Sequence, residues 1–328
     1  MVRTERFRRL APPALTIVVL AAVYYGSAQI GLLEQVVIAD TVVTPLWPPT
    51  GIALSGLLLL GLWTWPAIAL GTLVVVWTLS PLDVTVLGVM AGNTLAPVCA
   101  CLMLRRVGFR PALDRLRDGV ALVLLGAFTG MLISATFGSG VQVLTGSLPP
   151  GDFWRTWAAW WVGDAMGILV VTPLVLAFRT IRRPRDIPLY RWAEVAALLA
   201  CSVIVSVLAV RSPLSLLFLV FPLIVWAALR FQLVGAAPVV LLVSVVAITS
   251  ATRRIGPFSG QSLLEAMVNL QALNASTALT ALLLSAIITE QNGIRRKIEL
   301  ACSELAEVVD RLAPGERRRR WPPNGRTR

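Results

Sequence analysis

The stretch "WAAWWVGDAMGILVVTPLVLAF", residues 157–178, holds one charged side chain, Asp164, in an otherwise uncharged apolar run. A run of about 18 or more apolar residues is long enough to cross the hydrocarbon core of a bilayer as a helix. Similar runs recur at roughly 11–31, 84–104, 119–140, 192–210, 233–251 and 263–289, with shorter ones at 50–62, 66–79 and 214–229. The chain is 57% hydrophobic and only 14% charged, with a mean hydropathy of +0.79. Its apolar runs are continuous rather than alternating, which argues against a β-barrel. The expected fold is all-α: a polytopic integral membrane helical bundle of about eight to ten transmembrane segments, ending in a short cytoplasmic coiled coil.

Charge gives the topology. The net charge is +12, yet the arginines gather in loops and in the tail rather than forming a nucleic-acid surface, so no nucleic-acid partner is expected. With ten crossings, 25 of the 29 Lys and Arg residues fall on the side of both termini; only Arg155, Arg211, Arg253 and Arg254 fall on the other. Positive loops stay in the cytoplasm, so a multi-pass protein of a bacterial inner membrane with both ends inside is expected. The same count reads residues 51–79 as a hairpin turning near "WTWP", because a single kinked span would place "RRVGFRPALDRLRDG" (105–119) outside. Each arm is short, so it either spans or re-enters. The N-terminal run is too long for a typical signal-peptide core and is read as an uncleaved first span.

Four units are expected. Residues 1–10 form a basic cytoplasmic N-terminus and 11–290 the membrane domain. Residues 291–313 form a cytoplasmic helix and 314–328 a disordered basic tail drawn to anionic lipid. In "IRRKIELACSELAEVVDRLAPG" (294–315), Ile294, Ile298, Ala301, Leu305, Val308 and Leu312 are spaced 4, 3, 4, 3, 4, as in a heptad seam. A parallel coiled coil, and so a homodimer, is the favoured reading. An amphipathic helix lying on the membrane is the alternative. Gly88, Gly92, Ala96 and Ala100 repeat every four residues, as do Gly126, Gly130, Ser134 and Gly138; such small faces let two helices pack closely.

No histidine is present, which removes His-based metal sites and general bases. No catalytic motif, metal cluster or phosphate loop is found, so neither an enzyme nor a cofactor is expected. The chemistry lies in polar groups at bilayer depth, which should face the bundle interior and find partners. Asp164 leads. At 100° per residue Trp157, Trp160, Trp161 and Ile168 share its face, and a carboxylate among indoles suits a cation or amine. Alternatively, Asp164 pins helices and the tryptophans form an interfacial belt. Glu265, Asn269, Ser276 and Thr280 lie along one face of the last span. Asn93, Asn269 and Ser276 are candidates for ligand contact or for hydrogen bonds between helices.

Four stretches resemble a known bacterial family: "LWPPTGIALSGLLLLG" (46–61), "GNTL" (92–95) followed by "LRR" (104–106), "WWVGDAMGILVVTPL" (160–174) and "FPLIVWAALRFQLVGAA" (221–237). They resemble the MASE-type membrane-associated sensor domain of the first-described class, over about residues 15–290. The resemblance implies an integral-membrane sensory input, which in that family usually precedes histidine kinase, PAS, GGDEF or EAL modules. Ala96 stands here where the family often has glutamate. The residues after 290 are too few for an output module, so a separate kinase or cyclic-dinucleotide signalling protein is the expected partner, beside the lipid bilayer. The alternative is a small-solute transporter using Asp164 as a coupling or substrate-binding acid, for which no clear internal repeat is visible.

Overall fold

The computed structural model describes residues 12–38, 41–79, 83–180, 189–212 and 216–312. The expected basic N-terminus and basic tail lie outside these. Nine helices carry the described fold: α1 (Pro13–Leu32), α2 (Pro48–Leu59), α3 (Trp65–Leu79), α4 (Val84–Arg106), α5 (Leu116–Leu144), α6 (Pro150–Arg179), α7 (Leu189–Arg211), α8 (Val220–Thr252) and α9 (Leu263–Leu312). A small antiparallel hairpin, β1 (Val36–Ile38) and β2 (Thr41–Val43), adds strand to a fold expected to be all helix. Eight helical stretches among the described residues are long and apolar enough to cross a membrane; α2, with 12 residues, is shorter. Large apolar side chains such as Val18, Leu124, Ile204 and Leu208 face outward, as expected where the solvent is lipid.

The small-residue faces join α4 to α5. A methyl group on Gly88 would strike Val141, one on Gly92 would strike Phe137, and one on Gly130 would strike Ala100. Gly138 serves another contact: it lies under the indole of Trp160 in α6. Both α5 and α6 contain a π-helical stretch, at Leu122–Thr129 and Gly167–Val171. Such stretches often occur at functional positions.

Helix α8 is bent back at Gln232, which has φ 55° and ψ −148°. Arg230, before the bend, pairs with Glu194 at the start of α7 at 2.6 Å. Thr249, near the end of the second arm, donates to Glu34 just beyond α1 at 3.1 Å. Gly256 sits against the carbonyl of Val210, at the other end of α7. The two arms therefore run in opposite directions. Residues 216–229 and 233–251 form two separate arms, with Arg230 at their turn.

Residues 44–61 form the most unusual segment, an irregular lead-in followed by the short helix α2. From β2 the chain runs non-helically through Thr44–Trp47, with a bend at Pro45, then becomes helical from Pro48. Gly61, at φ 115°, turns it into α3, which returns to the level of Asp83. Non-helical backbone at membrane depth is tolerated only where it is buried in protein or lines a cavity. Pro45, Pro48 and Pro49 remove three N–H donors from this segment. The N–H of Trp47 donates to the Gly163 carbonyl at 3.0 Å, and Gln271 Nε2 donates to the Pro45 carbonyl at 2.8 Å.

Candidate functional site

The segment "LWPPTG" lies on "WWVGDAMG" of α6, and the two glycines flanking Asp164 make this possible. A methyl on Gly163 would sit 2.5 Å from the Thr44 carbonyl oxygen, and one on Gly167 would sit 2.0 Å from that of Trp47. Gly51 is equally tight against the Gly167 carbonyl. Backbone thus meets backbone on both sides of the acid, leaving Thr50 directed at it.

Asp164 is only 1% exposed. Thr50 Oγ1 donates to its Oδ1 at 2.5 Å, and Ser134 Oγ donates to its Oδ2 at 2.5 Å. Ser134 Oγ is also 3.0 Å from Asn93 Oδ1. One hydroxyl hydrogen cannot serve both acceptors. The satisfied arrangement gives it to the carboxylate and turns the Asn93 amide so that its NH2 faces Ser134, since the two ends of an amide are assigned by such networks. The result is a chain of hydrogen bonds through α4, α5, α6 and the start of α2.

Above Asp164 lies a cavity of about 390 Å³. Its lining includes Tyr24, Trp47, Thr72, Asn93, Trp160 and Asp164, and it extends to Leu79, Asp83 and Ser147 at the end of the bundle away from the arginine-rich loops. Asp83 caps α4, accepting from the N–H of Thr85 at 2.9 Å. Tyr24 is buried, and its hydroxyl accepts from Thr72 Oγ1 at 3.0 Å. Among the described residues, no Lys or Arg lines the cavity. Toward the other end the interior is filled: Leu54, Leu104 and Leu122 close around Gly126, and all three are fully buried.

The sequence-derived candidates separate here. Asp164, Trp160 and Asn93 meet at the cavity. Trp157 and Trp161, expected on the same face, do not line it. Trp157 Nε1 donates to Thr136 Oγ1, Trp161 Nε1 donates to the Phe128 carbonyl at 2.8 Å, and the two rings stack at 6.0 Å. Both turn to the α5 side, where each indole N–H finds an acceptor. Ile168 is buried one turn below Asp164.

The polar stripe expected on the last span lies away from the cavity. Asn269 and Ser276 are exposed; Asn269 bonds to Gln261, and the Ser276 and Thr280 hydroxyls bond back to carbonyls one turn earlier in their own helix. A hydroxyl satisfied in this way can face lipid. The inward side of α9 instead carries Gln271, Asn274, Thr277 and Ser285, of which Asn274 is fully buried with neither amide atom partnered. Trp47, Thr50, Tyr24 and Gln271 are site residues that the sequence reading missed. The "WPPTG" motif was quoted there, and three prolines so close together at membrane depth were the available signal.

A helical membrane bundle with a ligand-sized cavity ending on a buried acid is the class that the fold and geometry define. The MASE1 family model matches residues 16–292, most of the chain. The chain belongs to the MASE1 family of membrane-associated sensory domains, which are sensory rather than catalytic. No curated protein and no solved structure matches it.

Proposed function

We propose that this chain is a signal-input protein of a bacterial inner membrane: a ligand occupies the cavity above Asp164, and α9 passes that occupancy to a cytoplasmic partner. The carrying observation is the 2.8 Å bond from Gln271 to the Pro45 carbonyl. Thr44 and Trp47 form part of the cavity wall, and Thr50 holds the acid at its base. Gln271 links that same segment to α9, which continues as one helix of 50 residues to Leu312. A shift of the wall therefore acts directly on the helix that leaves the bundle.

Beyond Glu290, which accepts from the Leu116 N–H at 3.0 Å, the helix side chains are exposed from Gly293 as far as Val308. The partly exposed seam of Ile294, Ile298, Ala301, Leu305 and Val308 supports a homodimer through a parallel coil; the Leu312 side chain lies outside the described residues. The distribution of Lys and Arg supports placing both termini in the cytoplasm, where a separate kinase or cyclic-dinucleotide signalling protein would read the coil.

The test needs no ligand. In a chain with its four cysteines replaced, Leu305→Cys reports the coil through disulfide formation in membranes. Filling the cavity with Val89→Phe, at a lining position, should change the crosslinking rate at least about threefold, and adding Gln271→Leu should cancel the change. An unchanged rate on filling the cavity would remove the coupling.

A second reading, a small-solute transporter, draws support from the irregular segment at residues 44–59, because transporters place half-helix ends at their substrate sites. The filled interior below Asp164 favours a dead-end sensory pocket.

A further inference from the structure

We infer that the cavity is a binding site for a small organic monocation, a protonated or quaternary amine with an apolar body. The inference rests on the sensory reading of this cavity and names its ligand class. Three independent properties of the walls lead to it.

The first is charge. Asp164 lies at the base and Asp83 at the mouth, and no Lys or Arg among the described residues lines the cavity. An anion brought to the base would meet a carboxylate in surroundings that screen it poorly, and the like-charge interaction would be unfavourable. A neutral ligand would leave the acid without a counter-charge, whereas a cation supplies the opposite charge that an intramembrane carboxylate requires. Thr50 and Ser134 occupy one direction on each Asp164 oxygen, and a carboxylate retains further lone pairs for an ammonium group.

The second is size. A volume of about 390 Å³ is in the range of small-molecule pockets and could hold about a dozen waters. A bare ion would leave most of that space wet. A hard divalent ion would also want several carboxylate or carbonyl ligands, and no group of three His, Cys, Asp or Glu side chains suited to a metal occurs among the described residues.

The third is the surface presented. Tyr24, Trp47 and Trp160 contribute aromatic rings to the lining, while Val75, Val86 and Val89 supply aliphatic wall. Aromatic faces attract ammonium groups, more strongly when desolvated. Asn93, Thr72 and Gln142 add a few polar anchors. The pattern is one deep charge, aromatic flanks and an apolar wall, with a second negative group where the ligand enters.

The experiment uses the full chain in nanodiscs and follows its thermal unfolding, because a ligand that binds only the folded state raises the midpoint. The probes are tetramethylammonium, choline, phenethylammonium and tryptammonium, with 3-phenylpropanol and 3-phenylpropanoate as neutral and anionic controls. At least one ammonium probe should raise the midpoint saturably, and the two controls should not. Asp164→Asn should weaken that probe by about a hundredfold or more, as expected on removing one partner of a buried charge pair. Asp83→Asn retains a good cap for α4 and should weaken it by about threefold at low salt and less at high salt. This variant, at the mouth, keeps the test informative if Asp164→Asn fails to fold. No shift with any ammonium probe, or an equal shift with the neutral or anionic control, overturns the assignment. A control that binds and also alters Leu305→Cys crosslinking would defeat the cation class while leaving the sensory reading intact. An ammonium that binds without altering crosslinking would defeat the sensory reading alone.

Discussion

Asp164 and Leu305 both run against the ordinary partition of residues: a charged side chain 1% exposed, and a large apolar one 64% exposed. They differ in what surrounds them. The acid has a hydroxyl on each oxygen, a helix start beside it and glycines that bring those groups close. The leucine has a helix and its aligned neighbours Ile298 and Val308, themselves exposed. The acid draws its hydrogen bonds from the chain itself, whereas none of the described residues covers the apolar seam. Substitutions around Asp164 should therefore be felt by the whole fold, and those along the seam only by association.

The largest effect is expected where backbone meets backbone. Gly167→Ala places a methyl 2.0 Å from the Trp47 carbonyl oxygen, and neither partner is a side chain that can swing away. The expected loss is about 3 kcal/mol or more of stability, read as a collapse in folded yield or in the midpoint of unfolding. Gly140→Ala, in α5, is the control, because nothing lies within 4 Å of its added methyl. It should be neutral or slightly stabilising, since alanine is the better helix former. Equal behaviour of the two variants would show that the segment at 44–51 is not held against α6 in the way described.

A smaller effect is expected at the hydroxyls. Thr50→Val keeps the shape of the side chain and removes the donor to Asp164 Oδ1. A hydrogen bond to a charged group contributes about 1.5–3 kcal/mol, so a loss of that order is expected, with Thr50→Ser recovering most of it. If valine were as stable as threonine, the acid would not depend on this contact, and the contrast with the seam would weaken.

These two regions were also unequally legible in sequence. The heptad spacing of the seam is a one-dimensional pattern, and the helix through it follows that pattern to Leu312. The close pairing of α4 with α5 was legible for the same reason, because glycines every four residues on two neighbouring runs leave little choice of face. The site around Asp164 was only half visible. Its acid stood out, but helical angle alone could not separate Trp160 from Trp157 and Trp161. Which indole faces the cavity depends on how α6 is rolled against α5, where Gly138 receives Trp160 and Thr136 and Phe128 accept from the other two. On α9, polar residues occur on more than one side. Packing against the segment at Pro45, rather than periodicity, selects Gln271 over Asn269 as the one that faces inward.

The smallest effect on the fold, and the sharpest test of the contrast, lies at Leu305. Leu305→Asp removes an exposed apolar side chain that has no role in the bundle core, so the unfolding midpoint of the membrane domain should move by no more than about 0.5 kcal/mol equivalent. The same change would place two carboxylates opposite each other in an apolar seam and should dissolve a parallel dimer. Crosslinking gives the geometry. With the native cysteines replaced, Leu305→Cys should form an intermolecular disulfide under mild oxidation. Ser303→Cys, on the opposite face by heptad position, should form far less, because a disulfide requires Cα atoms within about 7 Å. Equal crosslinking at both positions in a monomeric protein would leave α9 as a surface helix, with its apolar face turned to lipid instead of to a second copy. In that event the exposed leucine would already have its surface, and the cavity would lose the output through which its occupancy is read.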